Sequence, residues 1–165
     1  MKVNKRKIFE SIRSTLSDQM ADAERARQDS QNEANRHIGR MQSRYDTFKE
    51  EAQAMAAAHE LRKIELQHAL SIAEDFLSDI DELKTGGMAQ LGSVITLETL
   101  DGQKQECVIL SPVGGGIELE AGEKRITVIT PASPLGKALL GRVGEEKIVL
   151  ELGNKTTTRA ILEVI

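Results

Sequence analysis

Apolar residues in the first half of the chain recur at helical spacing. Phe9, Ile12 and Leu16 open a stripe with steps of three and four, the signature of one buried helix face. The stripe thins to Met20, Ala23 and Ala26 and returns as Ala34, Ile38 and Met41. Further on, Leu66, Leu70, Ala73, Leu77 and Ile80 follow one another at alternating steps of four and three, a coiled-coil seam, and Ile72, Phe76 and Leu83 widen it. The whole pattern runs from Asn4 to Lys84 with no proline and one glycine, Gly39. A single helix of about 80 residues is far longer than globular proteins use. The pattern therefore predicts two helices, Asn4–Arg40 and Thr47–Lys84, folded back as an antiparallel coiled-coil hairpin about SRYDTFKEEA (43–52). Its tip lies near 41–50, and each arm spans roughly 55 Å. Small seam residues bury little area, so the middle of the hairpin is expected to be slender.

After Thr85-Gly86-Gly87, where glycine can supply a left-handed helix cap, the period changes. SVITLE (93–98) and QECVILS (105–111) flank Asp101-Gly102, a hairpin signal. Pro112 and Gly114-Gly115-Gly116 make a loop before IELE (117–120) and RITVIT (125–130). Ser133-Pro134 starts a short helix, LGKALL, with serine as cap and proline in the first turn, and Gly141 stops it. EKIVLEL (146–152) and TTRAILEVI (157–165) pair across Gly153-Asn154. The prediction is an α+β fold: the helical hairpin over 1–86, then a β-rich domain with one short helix over 87–165.

Composition narrows the function classes. Hydrophobic residues at 39% and charged residues at 29% suit a soluble folded chain, and no apolar run approaches a membrane span. The basic N-terminus MKVNKRKIFESIRS lacks the apolar core of a signal peptide, so a cytoplasmic location and no membrane partner are expected. Residues 1–84 carry 14 Lys/Arg against 16 Asp/Glu, and residues 85–165 carry 8 against 10. Neither half is the basic patch that free nucleic acid requires. The lone cysteine, Cys107, excludes an internal disulfide and a multi-cysteine zinc site, and reads as a buried strand residue. All four aromatics, Phe9, Tyr45, Phe48 and Phe76, fall in the first half.

The chemistry-bearing stretch is the hairpin tip, with Asp46, Glu50 and Glu51. One reading is local: Asp46 or Thr47 as a helix N-cap and Thr47-Phe48-Lys49-Glu50 as a capping box, with acids favoured in a first turn by the helix dipole. The other is that the carboxylates are displayed for a metal. Arg36, Arg40, Arg44 and Lys49 cluster nearby, either as a solvated face or as a match for phosphates. His37, His59 and His68 have no ligand spacing.

GSVITLE (92–98), SPLGKALLGRVGEEKIVLEL (133–152) and the closing ILEVI resemble the C-terminal domain of the bacterial Gre transcript-cleavage factors (GreA/GreB). The Ser-Pro-x-x-x-Ala-Leu-x-Gly block carries most of the resemblance, and KEEAQAMAA (49–57) looks like the Lys-Glu-x-Ala segment after the turn in Gre hairpins. What this implies is an accessory factor of RNA polymerase, not an enzyme and with no cofactor of its own. Its FKBP-like C-terminal domain would dock on the polymerase through Ser133, Pro134, Leu135, Gly136 and Leu139. The hairpin would enter the secondary channel and set Asp46 and Glu50, with Glu51 beside them, next to the polymerase's own catalytic Mg2+. A second Mg2+ shared there would let the polymerase cleave backtracked RNA, since Mg2+ prefers carboxylate oxygens and a metal pair stabilises attacking and leaving oxygens. Arg36, Arg40, Arg44 and Lys49 would face RNA or the channel wall, and the nascent RNA 3′ end would be met only through the polymerase.

This chain departs from the family pattern at the tip. Its two acids are four residues apart where the family has three, Tyr45 stands where a glycine is expected, and Gly114–Gly116 replaces an acidic segment. Two readings follow, a cleavage-stimulating factor and a homologue that occupies the channel without cleaving. A prolyl isomerase is a third, opposed by the absence of aromatics from 85–165, since shared fold does not confer activity. A coiled-coil dimer built on Leu66–Ile80 is a fourth, opposed by the polar stretch Gln28–Glu33; a monomer is expected.

Overall fold

The computed structural model describes residues 4–36, 44–83, 87–99, 104–121, 124–152 and 155–165. Two long helices, α1 (Lys5–Arg36) and α2 (Arg44–Asp79), precede β1 (Val94–Thr99), β2 (Gln105–Leu110), β3 (Glu118–Ala121), β4 (Lys124–Ile129), α3 (Pro134–Leu139), β5 (Lys147–Leu152) and β6 (Lys155–Val164). This is the α+β class read from the pattern, a helical hairpin followed by a sheet with one short helix. Two compact units arise from it: Ser14–Ser71, and Met1–Arg13 together with Ile72–Ile165.

Both helix boundaries of α2 differ from the sequence reading. The helix begins at Arg44 and not Thr47, so Thr47 is an interior residue and the capping box at 47–50 does not form. It ends at Asp79, short of Lys84 and of Gly86-Gly87. Asp75, Asp79, Asp81 and Glu82 crowd this end, and its last turn holds no basic residue. Negative charge there opposes the helix dipole, and the chain leaves through a tightened turn in which Glu82 N–H donates to the Asp79 carbonyl at 3.0 Å. Gly87 does take positive φ, at 76°, but eight residues beyond the helix it caps nothing. Gly86, the Asp101-Gly102 turn and Gly153-Asn154 lie outside the described residues.

In the unit of 14–71 the helices meet through small residues. Leu16, Ala23 and Ala34 of α1 and Ala52, Ala56 and Leu66 of α2 are all buried. The 4–3 seam that began at Leu66 therefore extends back through Ala56 and Ala52 as alanines, which a reading built on large apolar residues passes over.

The other unit is built on one six-stranded sheet of order β3-β4-β2-β1-β6-β5. β1 and β2 pair antiparallel from Val94↔Ile109 to Glu98↔Gln105, and β5 and β6 from Lys147↔Ala160 to Leu152↔Lys155, as the hairpin signals foretold. The β2–β4 pair is parallel, because β3 returns the chain first as a short antiparallel edge. Side chains alternate across a strand, and here both faces are covered. On one face Ile95, Leu97, Val108, Leu110, Ile148, Leu150 and Ile161 pack with Leu139 of α3 and Ala89. On the other, Val94, Ile109 and Val128 are buried beneath the base of the helices. This double cover explains why VITL and CVIL read as continuous apolar runs.

The helix base fills that second face with the bulky residues the hairpin seam lacks. Phe9 and Ile12 are fully buried, and the Phe9 and Phe76 rings lie 4.9 Å apart at 45°. Each such residue stabilises by roughly 2–3 kcal/mol. The Gly114 loop comes so close that a Cβ there would sit 3.0 Å from Ile12 Cγ2, and its φ of +79° favours glycine independently.

The α3 block shows why its serine and glycine are fixed. Ser133 Oγ accepts from Gly136 N–H at 3.0 Å and donates to the Thr130 carbonyl at 2.8 Å, capping the helix while Pro134 opens it. A Cβ on Gly136 would lie 2.0 Å from the Thr130 carbonyl oxygen. Gly141, at φ 77°, then turns the chain so that its N–H reaches the Ala89 carbonyl at 2.8 Å. Replacing Gly136 by alanine forces a backbone shift and is expected to destabilise the protein by about 2–3 kcal/mol. Ser133→Ala, which loses one cap, is expected to cost about 1 kcal/mol. Urea denaturation of the two variants checks the order; equal midpoints would contradict it.

Candidate functional site

The hairpin tip is positioned by a register that can be read from charges rather than from the seam. Arg27 Nη2 meets Glu24 Oε1 on its own helix at 2.8 Å, and Arg27 Nε reaches Glu60 Oε2 on α2 at 3.1 Å. Lys63 Nζ returns to Glu24 Oε2 at 2.9 Å, and Gln28 Nε2 donates to Glu24 Oε1 at 2.8 Å. In the sheet-bearing unit, Arg6 Nη2 pairs with Asp81 Oδ2 at 2.9 Å. Each cross-helix pair, 6 with 81, 24 with 63 and 27 with 60, is equidistant from a point between residues 43 and 44. α1 and α2 therefore run antiparallel, and residues 37–43 between them, on which the expected tip partly falls, lie outside the described residues.

Arg36 closes α1 and Arg44 opens α2, so both are helix-end residues; Arg40 and His37 lie outside the described residues. Positions 46 and 50 fall in the first two turns of α2, one turn apart and so on one face, about 6 Å along the axis. Glu50 and Glu51 are exposed and Lys49 is half-buried. With Thr47 interior, Glu50 has no cap to serve, and it has no ion pair among the described residues. Phe48 and Met55, also on this end of α2, are more than half exposed.

Among the described residues no three His, Cys, Asp or Glu side chains converge. His59 is half-buried and His68 exposed, neither beside a second ligand. Glu50 and Glu51 offer exposed carboxylates near the start of α2, the kind of oxygen donor that Mg2+ prefers.

At the α3 block, the surface differs from the set Ser133, Pro134, Leu135, Gly136 and Leu139. Leu139 is fully buried and Gly136 is buried against Thr130, because they close the core face of the short helix. Ser133 and Leu135 are half-buried, and the side chains open to a partner are Pro134, Lys137 and Leu140. Elsewhere in this unit, burial pushes the Cys107 thiol up from its ordinary pKa. Burial works against the Glu106 carboxylate too, but Lys104 at 3.1 Å and Arg159 beside it outweigh that and hold it below the ordinary range.

No protein-family model matches the chain, and no curated protein matches it. Solved structures do. The GreA factor homolog 1 (Gfh1) protein of Thermus thermophilus is 22% identical, over 93% of this chain and 94% of its own, at a TM-score of 0.37. Gfh1 of Thermus aquaticus is 19% identical over 92% of each chain, at 0.38. The transcription elongation factor GreA/GreB of Nitrosomonas europaea is 17% identical over 54% of this chain and 78% of its own, also at 0.38. At these identities and TM-scores the likeness settles neither residues nor activity. No described helix is long and apolar enough to cross a membrane.

The residues the pattern reading missed are the four of the cross-helix network. Their signal was present: charged residues flanking an alanine seam in opposite-sign pairs, where coiled coils keep their register-setting contacts. Hydrogen bonds from Arg27, Lys63 and Gln28 pull the Glu24 carboxylate far below its ordinary value of 4.5. A folded-state pKa depressed in this way contributes stability that is present above the ordinary glutamate range and lost as pH falls toward the folded value. Glu24→Gln is therefore expected to be less stable than the parent at pH 7, the two converging below pH 4. Thermal unfolding followed by circular dichroism at 222 nm, from pH 7 to pH 2, measures this; a difference independent of pH would overturn it.

Proposed function

We propose that this chain is an accessory factor of RNA polymerase that binds the enzyme, inserts the hairpin end bearing Asp46, Glu50 and Glu51 into its secondary channel, and stimulates cleavage of backtracked RNA. The observation that carries the reading is the start of α2 at Arg44. With that start, positions 46 and 50 share one helix face near the N-terminal end of α2, and the Glu50 carboxylate is exposed, with no ion pair among the described residues. The resemblance of Ser133–Leu152 to Gre factors supports it independently, with Pro134, Lys137 and Leu140 as the open part of that block. Asp46 and Glu50 would hold an ion shared with the polymerase, which supplies Lewis-acid stabilisation of the reacting oxygens when bound. Lys49 and the arginines at 36, 40 and 44 balance the acids near RNA phosphates. The factor acts as a soluble cytoplasmic monomer and is not itself an enzyme.

One observation favours a second reading. Four-residue spacing on a continuous helix makes the two acid positions stack along the axis, in place of the three-residue spacing and glycine of the family tip. A factor so altered would occupy the channel and inhibit synthesis without cleaving. Stalled elongation complexes incubated with the protein, and with Asp46→Ala/Glu50→Ala, separate the two. Shortening of the RNA 3′ end with the parent and a loss of about 100-fold with the variant is expected. Inhibited synthesis without cleavage supports the second reading, and the absence of both effects overturns both.

A further inference from the structure

The outer side of α2 does not suit a helix that has only one neighbour. A helix covered on one side needs one apolar stripe, and its far side is expected to be polar. α1 keeps to this: none of its described residues is an exposed large apolar one. In α2 a second stripe lies opposite the buried Ala52, Ala56 and Leu66. Ala54, Ala57, Leu61, Ile64 and His68 follow at steps of three, four, three and four. All five are exposed, Leu61 by 65% and Ile64 by 53%. Phe48 and Met55 are exposed too, but they stand on a different side of the helix. A helix apolar on two sides is one that is covered on two sides.

The spacing says what kind of cover fits. Alternating steps of three and four are the repeat by which one helix packs into another, whereas an extended peptide repeats every two residues. The stripe is about 21 Å long, four turns of helix. Charge says which helix. The positions flanking the stripe are Glu51, Ala58 and Glu65 on one side and Gln53, Glu60 and Gln67 on the other, with no lysine or arginine. Glu51 has no ion pair among the described residues. Glu65 meets Arg62 at 3.2 Å with both side chains more than half exposed, a contact worth little in water. Glu60 is joined to Arg27 of α1 at 3.1 Å. Two copies of the stripe would bring glutamates together along its edges, where flanking charges select the partner of a coil. A helix with lysine or arginine at those positions meets no such repulsion.

We propose that the outer face of α2 from Ala54 to His68 docks an amphipathic helix of another protein. The apolar seam of that helix lies on Leu61 and Ile64, and its lysines or arginines lie beside Glu51, Glu60 and Glu65. Covering Leu61 and Ile64 takes the two large apolar side chains of the stripe out of water. The face involves neither Asp46 nor Glu50 and is independent of any action on RNA polymerase.

The test uses the full chain and three fluorescent three-heptad peptides, at concentrations where each is monomeric. One has a leucine seam flanked by lysine, one the same seam flanked by glutamate, and one a glutamine seam flanked by lysine. Fluorescence anisotropy is expected to show saturable binding of the first, one per chain, with the other two weaker by about tenfold or more. Leu61→Gln/Ile64→Gln, exposed changes to a good helix former, should weaken the first peptide about tenfold or more. Phe48→Gln/Met55→Gln should change it by less than about twofold. The proposal is overturned if the glutamate-flanked or glutamine-seam peptide binds as well as the first, or if the Leu61/Ile64 change leaves binding intact. Sedimentation of the parent at micromolar concentration is expected to show a monomer. A dimer lost in Leu61→Gln/Ile64→Gln would make a second copy the occupant and overturn it as well. The three peptides are compared on the parent protein, so a variant that fails to fold does not rescue the proposal.

Discussion

Arg27 is held by Glu24 on its own helix and by Glu60 on the opposite one, while Lys63 reaches back to Glu24. The geometry of the hairpin depends on this network because the seam beside it cannot specify a register. Alanines at 23, 34, 52 and 56 bury little and interlock weakly; a slip of one turn would replace one alanine contact by another. Opposed charges do not slip so cheaply, since displacing α2 by a turn would leave Glu24 without its lysine and bring Glu60 out of reach of Arg27. The slender seam and the charged clasp are thus two halves of one solution, close helix approach with a single alignment. That alignment holds α1 and α2 antiparallel through the middle of the hairpin.

At the other end of the same helices the constraint is different. Phe9, Ile12 and Ile80 are large and buried, with the half-buried Phe76 ring against Phe9, and around them the sheet-bearing unit has made room with glycine. A Cβ at Gly114 would press on Ile12, and one at Gly92 would sit 3.3 Å from Leu83 Cδ1. Register there is set by shape. Of the aromatics that the composition placed wholly in the first half, Phe9 lies in the core of the sheet-bearing unit with the half-buried Phe76 against it, so the division of the sequence into a helical and a β-rich half is not a division of the core.

Much of this was legible. The change of period from helical to strand-like, the strand limits to within about two residues, the β1–β2 and β5–β6 pairings and the Ser133 cap all follow from local chemistry, and local chemistry decides them in the structure as well. The antiparallel pairing of α1 with α2 was legible for a weaker reason, the symmetry of the apolar stripe. What could not be read is non-local. The parallel β2–β4 pairing depends on where a third strand lies, and the burial of Leu139 depends on which face α3 turns to the sheet. The start and end of α2 failed for a physical reason: a plausible cap at Thr47 and glycines at 86–87 are permissive signals, and tertiary packing together with acids at the C-terminal end overrode them.

The misplaced cap bears on the tip itself. Had Thr47 capped the helix, Glu50 would have been drawn back onto the backbone, and its charge would have needed no other explanation. With α2 running from Arg44, acids at 46 and 50 stand one turn apart, where like charges cost a few tenths of a kcal/mol. The helix dipole offsets this in the first turn but fades by the second, so Glu50 gains least from the arrangement and Lys49, adjacent in sequence, faces a different side of the helix. A residue that neither caps, pairs among its described neighbours nor packs contributes nothing evident to the folded state. Its carboxylate is left exposed on a continuous helix, a stiffer mount than a flexible turn would be.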